Sequence, residues 1–268
     1  MCIRDSYKSC NAYFANVFKR TIEKYNKPRF GVDAWSAHMK SFGLGNFMGY
    51  DLPPGRKGHI PTSRYYDRWY PNGGWKSTTI ISNSIGQGEV TMTPIQLANM
   101  MATIANEGYY YTPHVIKKIE KHKIDKKFTT KHITSIDKQY FRPVIDGLFD
   151  VYNMGTAASL RVEGIEICGK TGTAENFTKI NGKRVQLTDH SVFVAFAPRN
   201  DPKIAIAVLV ENGYWGARWA GPISSLMIEK YLKKTITRTD LEKRMLEGSL
   251  QHEYDKVTSG VPFTINNR

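Results

Sequence analysis

Two apolar runs late in the chain limit its fold more than any other feature. Ser191-Val192-Phe193-Val194-Ala195-Phe196 and Lys203-Ile204-Ala205-Ile206-Ala207-Val208-Leu209-Val210 have strand length and are almost continuously apolar. Only Pro198-Arg199-Asn200-Asp201-Pro202 separates them, which predicts an antiparallel hairpin. Pro222 then opens a helix with Ile223, Leu226, Met227 and Tyr231 on one face, suited to cover a sheet. Ile165-Glu166-Ile167-Cys168 reads as one further strand upstream.

The chain before these strands has helical spacing. Phe14, Val17, Phe18, Ile22 and Tyr25 recur with the helical period, and Ser9 stands just ahead as the expected N-cap. A second helix is expected over Ala34–Phe42, halted by Gly43 and Gly45. Thr93-Pro94 marks a helix start followed by Leu97, Met100, Met101 and Ile104 and ended by Gly108. Another helix is expected around Gln139–Tyr152. Residues 50–80 read as a long loop whose Tyr65, Tyr66, Trp69, Tyr70 and Trp75 pin it to the core. Helices, then three strands, then a covering helix make an α+β fold with an antiparallel sheet. Residues 235–268 read as a polar tail with a turn or two of helix.

The 268 residues carry a net charge of +14 and a sequence pI near 9.6, so an anionic partner has to be considered. No zinc spacing, RNA-binding signature or basic region with heptads accompanies the charge, and nucleic acid is not expected as a partner. The basic residues are dispersed apart from Lys117–Lys131, which reads as a solvated surface compatible with a cell envelope. Cys2, Cys10 and Cys168 are too unevenly placed for a disulfide framework, and Cys10 and Cys168 are expected as buried thiols. Seven scattered His suggest neither a metal site nor a cofactor. No apolar run reaches the roughly 18–20 residues that span a bilayer.

Gly169-Lys170-Thr171-Gly172-Thr173-Ala174-Glu175 carries the chemistry. Lys170 supplies a point charge, the Thr171 and Thr173 hydroxyls supply donors, and Gly172 lets a substrate backbone come close. Together they make a site for a carboxylate, with strand pairing to orient an extended peptide. Ser9-Cys10-Asn11 is a Ser-x-Asn placed ahead of Lys-Thr-Gly in chain order. Ser-x-x-Lys, Ser-Asp-Asn and Lys-Thr-Gly are the motifs of β-lactamases and penicillin-binding proteins. The collinear stretches Tyr7 to Phe14, Met48 to Pro53, Ile85-Gly86-Gln87-Gly88, Thr93-Pro94-Ile95-Gln96 and Gly155-Thr156-Ala157 widen the likeness. So do His190 to Pro198, Val210-Glu211-Asn212-Gly213 and Ala220-Gly221-Pro222-Ile223. In combination the chain resembles class B penicillin-binding proteins, most of all the elongation-type transpeptidases, from Tyr7 onward.

That resemblance implies a partial transpeptidase domain over residues 7–234, a non-native start at 1–6 and the polar tail at 235–268. It implies a peptidoglycan D,D-transpeptidase without cofactor, in which a Ser attacks the penultimate D-Ala carbonyl of a stem peptide. Ser9 would relay the proton to the departing amine, tuned by Lys170, and Asn11 would hold the acyl-side amide. Lys170, Thr171 and Thr173 would take the terminal carboxylate, and the Thr173 amide would form half the oxyanion hole. The implied partners are peptidoglycan stem peptides, β-lactams, a SEDS-type glycosyltransferase and the elongation complex. The implied location is the inner membrane facing the periplasm, through an N-terminal anchor missing from this sequence.

The nucleophilic Ser-x-x-Lys should precede Ser-x-Asn, yet only eight residues stand before Ser9. The one Ser-x-x-Lys, Ser135-Ile136-Asp137-Lys138, falls between the other motifs and reads as a helix N-cap with a solvated Lys. The chain is therefore expected to be inactive alone and to escape acylation by a labelled penicillin. A serine β-lactamase, a β-lactam sensor domain and a non-catalytic basic binding protein are the alternative readings.

Overall fold

The computed structural model describes residues 2–52 and 55–258. Pro53 of the 48–53 stretch and the end of the expected tail beyond Thr258 lie outside the described residues. The chain divides into two compact units, Met1–Gly147 and Leu148–Arg268.

The first unit is helical. It contains α1 (Cys2–Tyr7), α2 (Asn11–Glu23), α3 (Pro28–Ser41), α4 (Ser63–Trp69), α5 (Pro94–Ala105) and a short β1–β2 ladder (Tyr109–Tyr110 with His132–Ile133). The helix α6 (Phe141–Asn153) begins in this unit and continues into the second. Phe18 and Ile22 of α2, Val32 of α3, Tyr66 of α4, Trp75 and Ile80 form one buried cluster. A side chain at Gly31 would collide with the Ile22 backbone, so α2 and α3 meet at closer than side-chain distance. Phe42, Leu44, Ile60 and Phe141 form a second cluster.

The helix start at Thr93-Pro94 is as expected. Thr93 Oγ1 accepts from the Gln96 amide at 3.4 Å, and Gln96 Oε1 accepts from the Thr93 amide at 3.0 Å, a reciprocal capping box. Buried Gln96 also donates through Nε2 to the Asn46 and Lys57 carbonyls, each at 2.9 Å. The cap of α5 thereby fastens the preceding loop.

Four local expectations change. The helix α2 starts after Cys10, which is its N-cap without a side-chain bond, so Ser9 is not the cap. The helix α3 starts six residues before Ala34, because Pro28 fits the first helical turn. Within 50–80, Ser63–Trp69 is helical, and Tyr66 and Trp75 are buried as anchors while Trp69 is exposed. Ser135 caps no helix. Its Oγ lies 2.6 Å from His38 Nδ1 and 3.1 Å from Ser41 Oγ, and Asp137 caps the next turn instead. Lys138 is exposed, as expected, and pairs with Glu107 at 2.9 Å.

The second unit has the expected sheet. The strands β3 (Cys168–Ala174), β6 (His190–Ala197) and β7 (Ile204–Val210) run antiparallel in the order β3–β6–β7. Between β3 and β6 stands an unforeseen hairpin, β4 (Phe177–Ile180) with β5 (Lys183–Gln186), turned at Asn181-Gly182. Both turn residues have positive φ, 50° and 76°, as a two-residue hairpin turn requires. The helix α7 (Ala220–Lys233) covers β6 and β7, burying Leu226 and Ile228. The stretch read as a tail forms α8 (Thr239–Glu247) and α9 (Gln251–Thr258).

Candidate active site

Lys170, Thr171, Gly172 and Thr173 lie within β3, not after a strand ending at Cys168. Strand alternation puts Lys170 and Gly172 on one face and Thr171 and Thr173 on the other. The strand stands at the edge of its sheet and pairs only through β6 there, Thr171 opposite Phe193 and Thr173 opposite Ser191. Gly169 is needed for packing: a Cβ would lie 2.9 Å from the Val194 carbonyl oxygen and 3.0 Å from Ala195 Cβ.

The Lys170 ammonium donates to the Thr171 carbonyl at 2.9 Å. Burial lowers its pKa from 10.5 to about 8, because desolvation disfavours the cation. Thr171 Oγ1 lies 2.9 Å from Thr156 Oγ1, so Gly155-Thr156-Ala157 is brought against the strand. Thr173 is exposed. One half-buried charge and a row of hydroxyls along a strand edge suit an extended anionic peptide.

The connection from β7 to α7 presses on this strand. A Cβ at Gly216 would lie 2.5 Å from the Val192 carbonyl oxygen and 2.7 and 2.9 Å from the oxygen and nitrogen of Gly172. All three are backbone atoms, so only glycine fits. Fully buried Ser191 fastens the loop, donating to the Trp215 carbonyl at 2.9 Å and accepting from the Ala220 amide at 3.0 Å. Asn212 adds a second tie, with its amide 3.1 Å from His190 Nδ1 and its Oδ1 2.7 Å from Asn176 Nδ2.

Behind the loop sits a buried carboxylate that the sequence did not advertise. Glu253 of α9 accepts from Thr188 at 2.6 Å, from Lys256 at 3.0 Å and from the Tyr214 hydroxyl. Burial pushes its pKa up, but the bonds from Thr188, Tyr214 and Lys256 outweigh burial and hold it at about 2. An acidic residue in a polar, charged segment carries no sequence signal of such a role.

Ser9 and Asn11 lie in the first unit. Ser9 joins α1 to α2 with φ of 55°, a left-handed conformation unusual for serine, and its amide donates to the Ser6 carbonyl at 3.1 Å. Asn11 is exposed at the first turn of α2. Cys10 between them is half-buried and Cys168 is buried. No group of three potential metal ligands occurs among the described residues, and no helix there is long and apolar enough to cross a membrane.

A strand-borne Lys-Thr-Gly-Thr on an antiparallel sheet backed by a late helix is the motif and setting of the penicillin-recognising class. The family model for the penicillin binding protein transpeptidase domain matches residues 7–229, and the chain belongs to that family. It is 34% identical over 232 residues to peptidoglycan D,D-transpeptidase MrdA of Acinetobacter baumannii, covering 80% of this chain and 32% of that one. Its fold is similar to the crystal structure of Pseudomonas aeruginosa PBP2 in complex with WCK 5153, with a TM-score of 0.70 and 27% identity over 89% of this chain and 49% of that one. It is also similar to the PBP2 in the complex with MreC from Helicobacter pylori, with a TM-score of 0.64 and 26% identity over 85% of this chain and 39% of that one. The chain spans about a third of the length of the curated relatives it matches.

Proposed function

We propose that this chain is part of a peptidoglycan D,D-transpeptidase that forms peptide cross-links in the cell wall and is open to β-lactams. The observation that carries the reading is Lys170, a desolvated ammonium beside Thr171 and Thr173 on an edge strand. On this reading the terminal carboxylate of a D-Ala-D-Ala peptide is held by Lys170, Thr171 and Thr173 while its backbone runs past Gly172. The Thr173 amide stabilises the tetrahedral oxyanion as the acyl group moves. Ser9 passes a proton to the leaving amine, and its left-handed backbone supports a positional role. Asn11 holds the amide on the acyl side.

Ser135 is not assigned the nucleophilic role, since it is bound to His38 and Ser41 while Lys138 is engaged by Glu107. The inner membrane, with the site facing the periplasm, is the location that this reading carries. Stem peptides are the substrates, and a SEDS-type glycosyltransferase and the elongation complex are the partners; the Helicobacter pylori complex with MreC supports that choice.

The test is calorimetric titration of the chain with an N-acylated peptide ending in D-Ala-D-Ala. Lys170→Ala should weaken binding tenfold to a hundredfold, as expected for a charged hydrogen bond. Amidation of the peptide's C terminus should weaken it similarly and remove the difference between the two proteins. Equal binding of acid and amide by the unaltered chain would sink the reading.

A further inference from the structure

The β1–β2 ladder of the first unit has two unlike faces. Tyr110 stacks on His132 with ring centres 4.9 Å apart, and His132 Nε2 lies 3.1 Å from Thr112 Oγ1. A Cβ at Gly43 would lie 3.1 Å from the Tyr110 hydroxyl, so this face looks onto the end of α3. Strand alternation sends Tyr109 and Ile133, which are partners in register, to the opposite face. Tyr111 joins them there, with its ring centre 6.0 Å from that of Tyr109, and the Lys131 ammonium lies 4.0 Å over the Tyr109 ring. Ile133 on this outer face is 77% exposed.

The excursion between the two strands continues the pattern. Asp51 fixes the Val115 and Ile116 amides, yet both side chains stand in water, Val115 at 67% exposure. Ile119 is exposed as well, although its backbone bridges to His122. The His114 ring meets that of Phe128 at 4.7 Å and draws the two ends of the excursion together. Lys117, Lys118, Lys121, Lys123, Lys126, Lys127 and Lys131 set seven cations among these groups against Glu120 and Asp125, leaving five net positive charges. None of the seven has an ion-pair partner among the described residues.

Unpaired ammonium groups interleaved with exposed aliphatic side chains discriminate between anionic partners. A nucleic acid uses open aromatic faces on which bases stack, whereas Lys131 covers Tyr109 and both Lys127 and His114 crowd Phe128. Protein interfaces are depleted in Lys, whose hydrated charge is costly to bury. An anionic bilayer suits both kinds of group. Lys side chains reach the lipid phosphates while keeping their water, and Val, Ile and Tyr side chains gain by entering the boundary just beneath.

We propose that the β1–β2 excursion, with the outer face of its ladder, is a docking surface for an anionic lipid bilayer. Val115, Ile116, Ile119 and Ile133 enter the headgroup boundary, and the lysines around them lie against the phosphates. This goes beyond the transpeptidase reading and does not depend on it, since no residue of the Lys-Thr-Gly-Thr strand takes part.

The test is co-sedimentation of the full chain with vesicles of phosphatidylcholine alone and of phosphatidylcholine with about one third phosphatidylglycerol. The unaltered chain should bind the anionic vesicles at least tenfold more tightly. Lys117→Gln, Lys118→Gln and Lys121→Gln together should weaken that binding about a hundredfold, at roughly fivefold per lysine. Val115→Thr with Ile133→Thr, which keeps shape and charge but removes apolar surface, should weaken it about tenfold and abolish whatever binding survives high salt. Lys179→Gln, Lys183→Gln and Lys233→Gln, three exposed lysines of the second unit, remove the same charge elsewhere and should weaken binding by less than threefold. Circular dichroism and melting should match for all four proteins. Equal binding to the two kinds of vesicle, or equal losses in the two lysine triples, would overturn the proposal, the latter by leaving net charge as the cause. So would binding to a DNA oligonucleotide as tight as to the anionic vesicles and untouched by the two Thr substitutions. Binding of a D-Ala-D-Ala peptide should be the same in every variant, so the transpeptidase reading stands or falls separately.

Discussion

Two groups of lysines in this chain differ in everything except charge. Lys117, Lys118, Lys121, Lys123, Lys126, Lys127 and Lys131 stand exposed on the excursion between β1 and β2. Two of them rest on aromatic faces, Lys127 on Phe128 at 4.7 Å and Lys131 on Tyr109 at 4.0 Å. The excursion is pinned at its root by Asp51, which accepts from the Val115 and Ile116 amides at 2.9–3.1 Å. Lys170 is a single residue in a strand, half-buried and bonded to a backbone carbonyl. Water screens the first group to near neutrality in energetic terms, while desolvation makes the proton on Lys170 costly and its affinity for an anion high. The first group adds solvated charge to the surface, while Lys170 is a cation that the fold desolvates.

The contrast between buried and exposed charge can be broken most sharply away from the site. Glu229 in α7 is fully buried and accepts from Arg238 Nε at 2.9 Å and from the Thr237 amide at 3.1 Å. Arg238→Ala leaves that carboxylate buried without its cation and should cost about 3–5 kcal/mol in denaturant unfolding. A loss below 1 kcal/mol would show that water reaches Glu229 and that burial is not the governing variable.

Lys170→Met should act in the opposite direction. Below pH 8 the folded and unfolded chains both hold the proton, so its full burial cost is present at neutrality. Between about 8 and 10.5 the folded state has released the proton while the unfolded state keeps it, and stability rises with pH. Methionine should therefore stabilise at pH 7 by up to roughly 3 kcal/mol and flatten the rise. A profile with no slope between pH 8 and 10.5 in the unaltered chain would place Lys170 in water. The smallest effect is expected from Lys117→Gln, Lys118→Gln and Lys121→Gln together. Unfolding free energy should change by less than about 0.5 kcal/mol per site, with peptide affinity unaltered. A tenfold change in that affinity would give the exposed lysines a part in the site.

Long apolar runs were legible because burial leaves a pattern along the chain, so β6, β7 and their antiparallel order follow from two apolar runs joined by a short Pro-bounded link. Thr93-Pro94 and Gln96 announced α5 because capping is local. The β4–β5 hairpin was missed although Asn181-Gly182 carries a strong turn signal, because its strands are polar and leave no burial pattern. The placement of Lys170 slipped by half a strand, since Gly169 and Gly172 weaken strand propensity and only pairing with β6 overrides it. Ser9 was expected as a cap on residue type, whereas the turn after α1 gives that position to Cys10. Ser191, Gly216 and Glu253 were not legible, for their work is done against residues 24 to 65 positions away.

Glu253 also sets a timetable. A ribosome delivers β3, β6 and β7 well before it delivers α9, so Thr188 and Tyr214 emerge without the carboxylate that ties them. Until the last described helix is released, the two loops beside the Lys-Thr-Gly-Thr strand are held by Ser191, by Asn212 and by bonds such as that from the Tyr214 amide to the Asp189 carbonyl, without the carboxylate. The Lys-Thr-Gly-Thr strand is synthesised early in the second unit, and its surroundings are completed among the last.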